Sequence, residues 1–388
     1  MVRVRGEDEA DLPLVSLRRR PGKRMYEVEA IVVGAGVVGL AVARELALGG
    51  REVVVLEAEA HKGAHASSRN TSVIHAGINY LPGSLKSRLC AAGKKRLYRY
   101  CAERHIPHKM IGKLITAGAH SGEEGVDALK RMQQRAAQQG LVDLHLISAH
   151  EAQQMEPELL CGSALWSPTS GIIDVHAYMD ALEGDLCDAR GAIAFSSPVR
   201  SGKIAGDQIR LLLGDNDATQ IACRLLVNAA GLNAPLVAAS IANRPHDTLP
   251  PRLLSKGSYC VLRRASPFSH LIYPAPHGVH CSLDLGGQLR FGPDSQWTDE
   301  IDYTFDEARI APFYEKIRGF WPNLRDGDLA PGWVGVRAKI STGKTNEVDF
   351  RIDVSHFGAC RVIDLFGVDS PGLTASMAIG AEVGALAV

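Results

Sequence analysis

Three glycines stand at G-x-G-x-x-G spacing in Gly34-Ala-Gly-Val-Val-Gly39, and Glu57 follows eighteen residues after the last of them. Glycines so spaced suit a diphosphate. The first permits a tight turn, the second lets backbone approach an anion, and the third lets a helix pack closely on a strand. The phosphates then belong at the helix N-terminus, where free N–H groups and the helix dipole favour negative charge. A carboxylate at Glu57 is placed to accept hydrogen bonds from a ribose diol and would repel a 2′-phosphate, which disfavours NADP. A second stretch, SSRNTSVIHAGINY at 67–80, sets four polar residues ahead of Val73-Ile74 and then a histidine among small residues. Neither a core strand nor a flexible linker has that composition, but a segment lying along a large polar ligand does.

The elements around the glycines support this reading. Val28–Val33 is a short apolar run suited to a buried parallel strand. Leu40–Ala47 has helical periodicity, Gly49-Gly50 ends it, and Glu52–Leu56 reads as the next strand, ending at Glu57. Strand, glycines, helix, strand and acid together identify a dinucleotide site. Three features favour FAD over NAD. There is no second G-x-G-x-x-G. The polar run at 67–71 follows the Glu57 strand, where an extended dinucleotide would continue. Leu225-Leu-Val-Asn-Ala-Ala-Gly231 is another apolar strand ending on small residues, after a hairpin-like stretch from Ile209 to Arg224 that turns at Gly214–Asp217.

At 388 residues the chain is long for one core, so two domains are expected. A formal net charge of zero argues against nucleic acid or a strongly anionic membrane as main partner. No run of eighteen apolar residues occurs, although peripheral membrane contact is compatible with the sequence. The eight cysteines show no CxxC spacing, which reads as free thiols in a reducing cytoplasm, and no metal is implied. Residues 1–24 are charged and aperiodic and are expected to form a disordered tail, with the ordered protein starting near Met25.

Beyond the glycine motif, further segments carry a resemblance: SRNTSVIHAGINYLPGSLKSRLC at 68–90, GKLITA at 112–117, LLVNAAG at 225–231, LIYPAP at 271–276, LRFGP at 289–293, GVRAK at 335–339 and GVDSPGLTASMAI at 367–379. With Gly34–Gly39 and Glu57 they resemble the FAD-dependent oxidoreductases of the D-amino-acid oxidase and glycerol-3-phosphate dehydrogenase superfamily, and within it the L-2-hydroxyglutarate dehydrogenase/oxidase family. The likeness runs from about Glu27 to the end. It implies an α/β (α+β overall) architecture, with a Rossmann-like FAD-binding domain interleaved with a mostly antiparallel β-sheet substrate domain. The FAD domain is expected over 25–105, 175–250 and 341–388, and the substrate domain over 106–174 and 251–340. Short strands are expected at Lys113–Ala117, Ala164–Ser167, Tyr259–Leu262, Leu271–Tyr273 and Leu289–Phe291, and helices at His176–Arg190, Val126–Gln139 and from near Leu373.

The resemblance places the polar run beside the flavin and its pyrophosphate, and the Val-Ile-His-Ala-Gly after it at the isoalloxazine ring. Expected FAD contacts are Gly34, Gly36, Val38, Gly39 and Glu57, then Ser68, Arg69, Asn70 and Thr71. Val199, Ala230 and Gly231 form a second wall, and Ser370, Pro371, Gly372, Leu373 and Thr374 bring a helix N-terminus to the flavin. The implied reaction is oxidation of a 2-hydroxy acid, above all L-2-hydroxyglutarate, by hydride transfer to flavin N5. Such chemistry needs a cation for the carboxylate and a base for the hydroxyl proton. Arg337 is the first choice for the carboxylate, since a guanidinium grips one bidentately, against the plain alternative of a surface ion pair. His75 is the candidate base, with a structural histidine as the competing reading. Tyr259 and Tyr80 are further candidates. Tyr259 and Asn79 stand where glycerol-3-phosphate dehydrogenases carry a substrate histidine and a phosphate-binding arginine, which weakens the case for a phosphate substrate. Lys86, Arg88, Arg252 and Lys256 are unranked candidates for a distal carboxylate. A quinone or oxygen is the expected electron acceptor, in the cytoplasm or peripherally at the inner membrane face. The rivals are amine, amino-acid or glycerol-3-phosphate oxidation on the same fold, and a flavoprotein whose FAD is only structural.

Overall fold

The apolar run ahead of the glycines forms the buried strand Ala30–Val33, in the middle of a six-stranded sheet. The strand order is Ala192–Ala194, Val53–Leu56, Ala30–Val33, Leu225–Asn228, Cys360–Phe366, Arg351–Phe357; the first five run parallel and the last antiparallel. Residues alternate between two covered faces, as strand geometry dictates. Ala30, Val32, Val53 and Val55 pack under the helices Val37–Leu48 and Gly372–Leu386. Ile31, Val54 and Leu226 pack against Ile209, Leu211 and Ile221 of the antiparallel strands Gln208–Leu213 and Thr219–Cys223. Register sets Val33 level with Leu56 and Asn228. Gly34, Glu57 and Ala229 therefore leave the sheet at one edge, at the carboxyl ends of parallel strands, where open α/β sheets take ligands.

A nine-stranded, mostly antiparallel sheet faces this edge. Its order is Gln296–Thr298, Leu253–Leu262, Leu289–Phe291, Cys281–Leu283, Leu271–Pro274, Lys113–Ala117, Ser163–Ser167, His145–Ser148, with Leu329–Lys339 also paired to Leu253–Leu262. Only Leu271–Pro274 and Lys113–Ala117 run parallel. Trp321, Phe313 and Phe291 are fully buried behind it, each contributing ~1.5–3 kcal/mol of burial. The short strand Gly171–Ile173 pairs with both Val73–Ile74 and His108–Lys109, tying the 67–80 segment to the region between the sheets.

The structure is a computed structural model that describes residues 18–19, 25–214, 219–275, 278–342 and 348–388. Of the expected tail, only Arg18–Arg19 is among these, paired with Tyr26 and Glu27; the rest of that expectation lies outside the described residues. The expected helices appear as Val175–Asp188, Gly122–Ala137 and Gly372–Leu386. Among the elements not foreseen, two bear directly on the site. Leu85–Glu103 is a nineteen-residue helix whose Gly93 and six basic residues hide its periodicity. Gly93 is needed there, because a Cβ would lie 2.3 Å from the Thr374 carbonyl oxygen on the C-terminal helix. Leu329–Lys339 is an eleven-residue strand, although Pro331, Gly332 and Gly335 read as loop residues. All eight cysteines are unpaired, and only Cys187 is exposed.

Candidate active site

A cavity of about 1150 Å³ lies between the two sheets and is lined from both. At one end the backbone does the work. Gly34 has φ +103°, and a Cβ there would lie 2.6 Å from the Ala229 carbonyl oxygen; one on Gly39 would lie 1.9 Å from the Gly34 oxygen. The residue before the helix that starts at Val37, Gly36, has no side chain to cap it, and the first turn holds no acid. The N–H groups of Val38 and Gly39 thus have no intrahelical acceptor and no competing carboxylate. The neighbouring amides are taken: Ala35 N–H donates to Glu57 Oε2 at 2.6 Å and Val37 N–H to Ser67 Oγ at 2.9 Å. Glu57 also accepts from Glu59 N–H at 2.9 Å, which fixes the carboxylate at the cavity wall. The opposite wall, Ala229-Ala230-Gly231, is held by a buried network. Asn228 Nδ2 donates to Ala234 O and to Asp364 Oδ1, and Arg244 donates to Asp364 Oδ2 at 2.7 Å.

The 67–80 segment wraps this space by bonding to itself. The Asn70 side chain donates to the Ala66 and Ser67 carbonyls and accepts from Ser72 N–H, a turn that lets Ser72 take φ +57°. Arg69 lies 4.0 Å over the Tyr303 ring, and its buried Nε has no hydrogen-bond partner among the described residues. Two expected cofactor contacts, Ser68 and Thr374, do not line the cavity. Ser68 Oγ donates to Gly63 O, while Thr374 Oγ1 accepts from His75 N–H and donates to Val73 O, so both hydroxyls serve the backbone. The seryl contact at the helix start comes from Ser67, one residue earlier.

At the other end side chains converge from five segments. His75 is half-buried, with Nδ1 3.5 Å from Lys113 Nζ and Nε2 3.4 Å from Ser370 Oγ. Lys113 lies 4.2 Å over the Tyr273 ring, and His280 stacks on that ring at 3.8 Å. Burial, then the Lys113 and His280 charges, hold the His75 imidazole well below its usual value of 6.5. Burial first, with Lys113 and Arg337 adding, pushes His280 down to about 3. Both rings are therefore neutral near pH 7. Burial keeps the Tyr80 phenol protonated although it shares a hydrogen bond with Ser370, and raises Tyr259 to about 12. Tyr259 stacks on Trp333 at 4.5 Å.

Arg337 and Ser255 are opposite each other across antiparallel strands, as are Gly335 and Gly257. A Cβ on Gly257 would lie 3.3 Å from Arg337 Nη2, and one on Gly335 would lie 2.3 Å from the Arg69 carbonyl oxygen, so glycine lets the guanidinium and the 67–80 segment approach these strands. Arg337 Nη2 donates to Ser255 Oγ at 3.1 Å and to Asp294 O at 3.0 Å. These acceptors are neutral, and no carboxylate pairs with Arg337 among the described residues. The four cations expected for a distal carboxylate do not line the cavity. Lys86 pairs with Asp369, Arg88 with Glu382 and Lys256 with Asp302, while Arg252 donates to the Leu232 and Asp299 carbonyls. Arg135, from the last turn of Gly122–Ala137, does line it, beside Met132, Asn79 and Tyr80.

Comparison with known proteins decides the family. The family model described as FAD dependent oxidoreductase, DAO, matches residues 29–386. The chain belongs to this family. Among its relatives, L-2-hydroxyglutarate dehydrogenase, mitochondrial, of Arabidopsis thaliana is 37% identical, over 92% of this chain and 82% of the relative. The protein of that name from Homo sapiens is 28% identical, over 96% and 90%. Solved structures of like fold include the L-alpha-glycerophosphate oxidase of Mycoplasma pneumoniae with FAD bound (TM-score 0.81, 23% identity, 92% of this chain and 93% of that one). The glycine oxidase of Geobacillus kaustophilus is another (TM-score 0.78, 18% identity, 93% and 94%).

The DAO chain is thus an FAD-dependent oxidoreductase, and its own residues fit the cofactor. The glycine cradle that a Cβ would fill, the unpartnered first-turn amides and the fixed Glu57 carboxylate suit a diphosphate and a ribose. Of the other residues expected at the site, Arg69, Asn70, Thr71, Val199, Ala230, Gly231 and Ser370–Leu373 line the same cavity, as do His75, Tyr80, Tyr259 and Arg337. His280 and Lys113 were not anticipated, and no local pattern marks either. No helix among the described residues is long and apolar enough to cross a membrane.

Proposed function

We propose that this protein oxidises a 2-hydroxy acid, L-2-hydroxyglutarate before others, to the 2-oxo acid. One observation carries the reading: Arg337, with no carboxylate partner among the described residues, and the neutral imidazole of His75 share one cavity. The first suits a substrate carboxylate and the second the proton of its hydroxyl. The relatives named L-2-hydroxyglutarate dehydrogenase support the choice of acid. When bound, FAD supplies the acceptor for the hydride that leaves C2. Arg337 holds the C1 carboxylate and so orients C2, Tyr259 and Tyr80 donate hydrogen bonds as neutral phenols, and His75 Nε2 takes the hydroxyl proton. Arg135 pairs with the second carboxylate. Gly34, Gly36, Val38, Gly39 and Glu57 hold the FAD phosphates and ribose, and a quinone or oxygen closes the cycle. We assign 25–105, 175–250 and 341–388 to FAD binding and 106–174 and 251–340 to substrate binding.

The test is an anaerobic visible spectrum of the purified protein before and after each substrate. The flavin bands should bleach with L-2-hydroxyglutarate and stay unchanged with its D isomer. Bleaching by glycine, proline or glycerol 3-phosphate instead would replace this reading with the amine or phosphate alternative.

A further inference from the structure

Lys113 is an ammonium in an unusual place. Its side chain is 3% exposed, and no carboxylate pairs with it among the described residues. The groups around it come from four directions. His75 lies at 3.5 Å, the Tyr273 face flanks it from the neighbouring strand, and His280, just before Cys281–Leu283, stacks on the Tyr273 ring. From the helix Leu85–Glu103 come Cys90, whose thiol burial raises to about 12, and Lys94, which donates to Thr169 and lies 3.8 Å from Asp143. Its strand neighbours Ser167 and Leu271 carry no charge. A buried cation without an anion is costly unless it can lose its proton.

His75 has two unlike edges. Nδ1 faces Lys113 in the interior, and Nε2 faces Ser370, which is exposed and lines the cavity. In a neutral imidazole one nitrogen carries the hydrogen and the other the lone pair, and the partner of one edge decides the other. An ammonium has only hydrogens to offer, whereas a neutral amine also has a lone pair.

We propose that Lys113 is a positioning residue that sets the tautomer of His75. As an ammonium it donates to Nδ1, so the hydrogen sits on Nε2 and the cavity-facing edge has no lone pair. As a neutral amine it accepts from Nδ1–H, and Nε2 is free to take the substrate's proton. As the pH rises Lys113 passes its proton to Nδ1 while the Nε2 hydrogen leaves for the cavity, so one proton is lost overall and the imidazole is neutral in both forms. This rests on the reading of His75 as the base. Burial, the largest influence on Lys113, brings its ammonium down to about 8, with Lys94 adding to the fall and Cys90 opposing it. The amine form therefore becomes dominant as pH rises through that value, and the wild-type kcat/KM, which reports the free enzyme, should rise about tenfold between pH 7 and pH 9.

The decisive experiment is a pH titration of the FAD-loaded enzyme labelled with ¹⁵N-histidine, with the His75 signals assigned by their loss in His75→Gln. Nδ1 should pass from unprotonated to protonated, and Nε2 the reverse, with a midpoint near that of the kcat/KM rise. In Lys113→Arg, which stays charged, the Nε2–H tautomer and the low kcat/KM should persist across the range. In Lys113→Met both pH steps should vanish. A His75 tautomer that does not change with pH in the wild type, or a kcat/KM step that survives in Lys113→Met, overturns the proposal. The titration needs no variant of Lys113 to fold. A separate outcome, full activity in His75→Gln alongside the expected tautomer change in the wild type, would remove the role of His75 as base and leave the Lys113–His75 coupling standing.

Discussion

At the phosphate end of the cavity one contiguous stretch of backbone, 34–39, makes the cradle, while at the His75 end side chains come from positions 75, 113, 273, 280 and 337. The first end depends on what is missing. A Cβ on Gly39 would lie 1.9 Å from the Gly34 oxygen, so only glycine leaves the helix close enough to its strand. The second depends on what is present and unpaired, namely an arginine bound only to neutral acceptors and two imidazoles held neutral by burial. Holding a cofactor and reading a substrate are thus tasks of different chemistry in one cavity. They should fail separately.

The most far-reaching change that would break this separation is at Gly39, because it removes the cofactor on which all activity depends. Gly39→Val should cost FAD affinity about a hundredfold or more, from about 3 kcal/mol of overpacking, and the purified protein should be colourless while keeping its circular dichroism. Retained flavin absorbance would mean that the cradle is not where the diphosphate sits. Next comes His75→Gln, which should keep its flavin and lose about 10²–10⁴-fold in kcat. A comparable loss in Ser370→Ala, whose hydroxyl lies only 3.4 Å from Nε2, would blur the distinction between base and neighbour. Smaller still is Arg135→Gln. Its exposed guanidinium should contribute about fivefold to KM for a dicarboxylate and nothing for 2-hydroxybutyrate, as steady-state kinetics with both acids will tell.

The same contrast explains what could be read from the sequence. The cradle was legible because its requirement is local: three glycines within six residues, a strand before and a helix after. The polar run at 67–71 was legible as a ligand wall, but the direction of each side chain was not. Ser67, rather than Ser68, reaches the helix start, and Asn70 turns back on its own loop. The four cations offered for a distal carboxylate do not line the cavity, because pairing is long-range. Nothing near Lys256 announces that Asp302, forty-six residues on, takes its charge. Lys113 and His280 come together only because Lys113–Ala117 runs parallel to Leu271–Pro274 and Cys281–Leu283 folds back on that strand. Arg337 was placed by resemblance, while the strand that presents it, Leu329–Lys339, was not among those expected, because its place depends on pairing with Leu253–Leu262 about eighty residues earlier.

The most direct test of the account is a rapid-mixing experiment on wild type and Arg337→Met at equal flavin loading. Each is mixed anaerobically with subsaturating L-2-hydroxyglutarate, and flavin absorbance is followed. Loss of the charged partner of a buried carboxylate should slow bleaching about 10²–10³-fold while the flavin content of the purified variant stays at the wild-type level. Equal bleaching rates in the two proteins would contradict the assignment of Arg337 to the substrate, and with it the division of the cavity into a cofactor end and a substrate end.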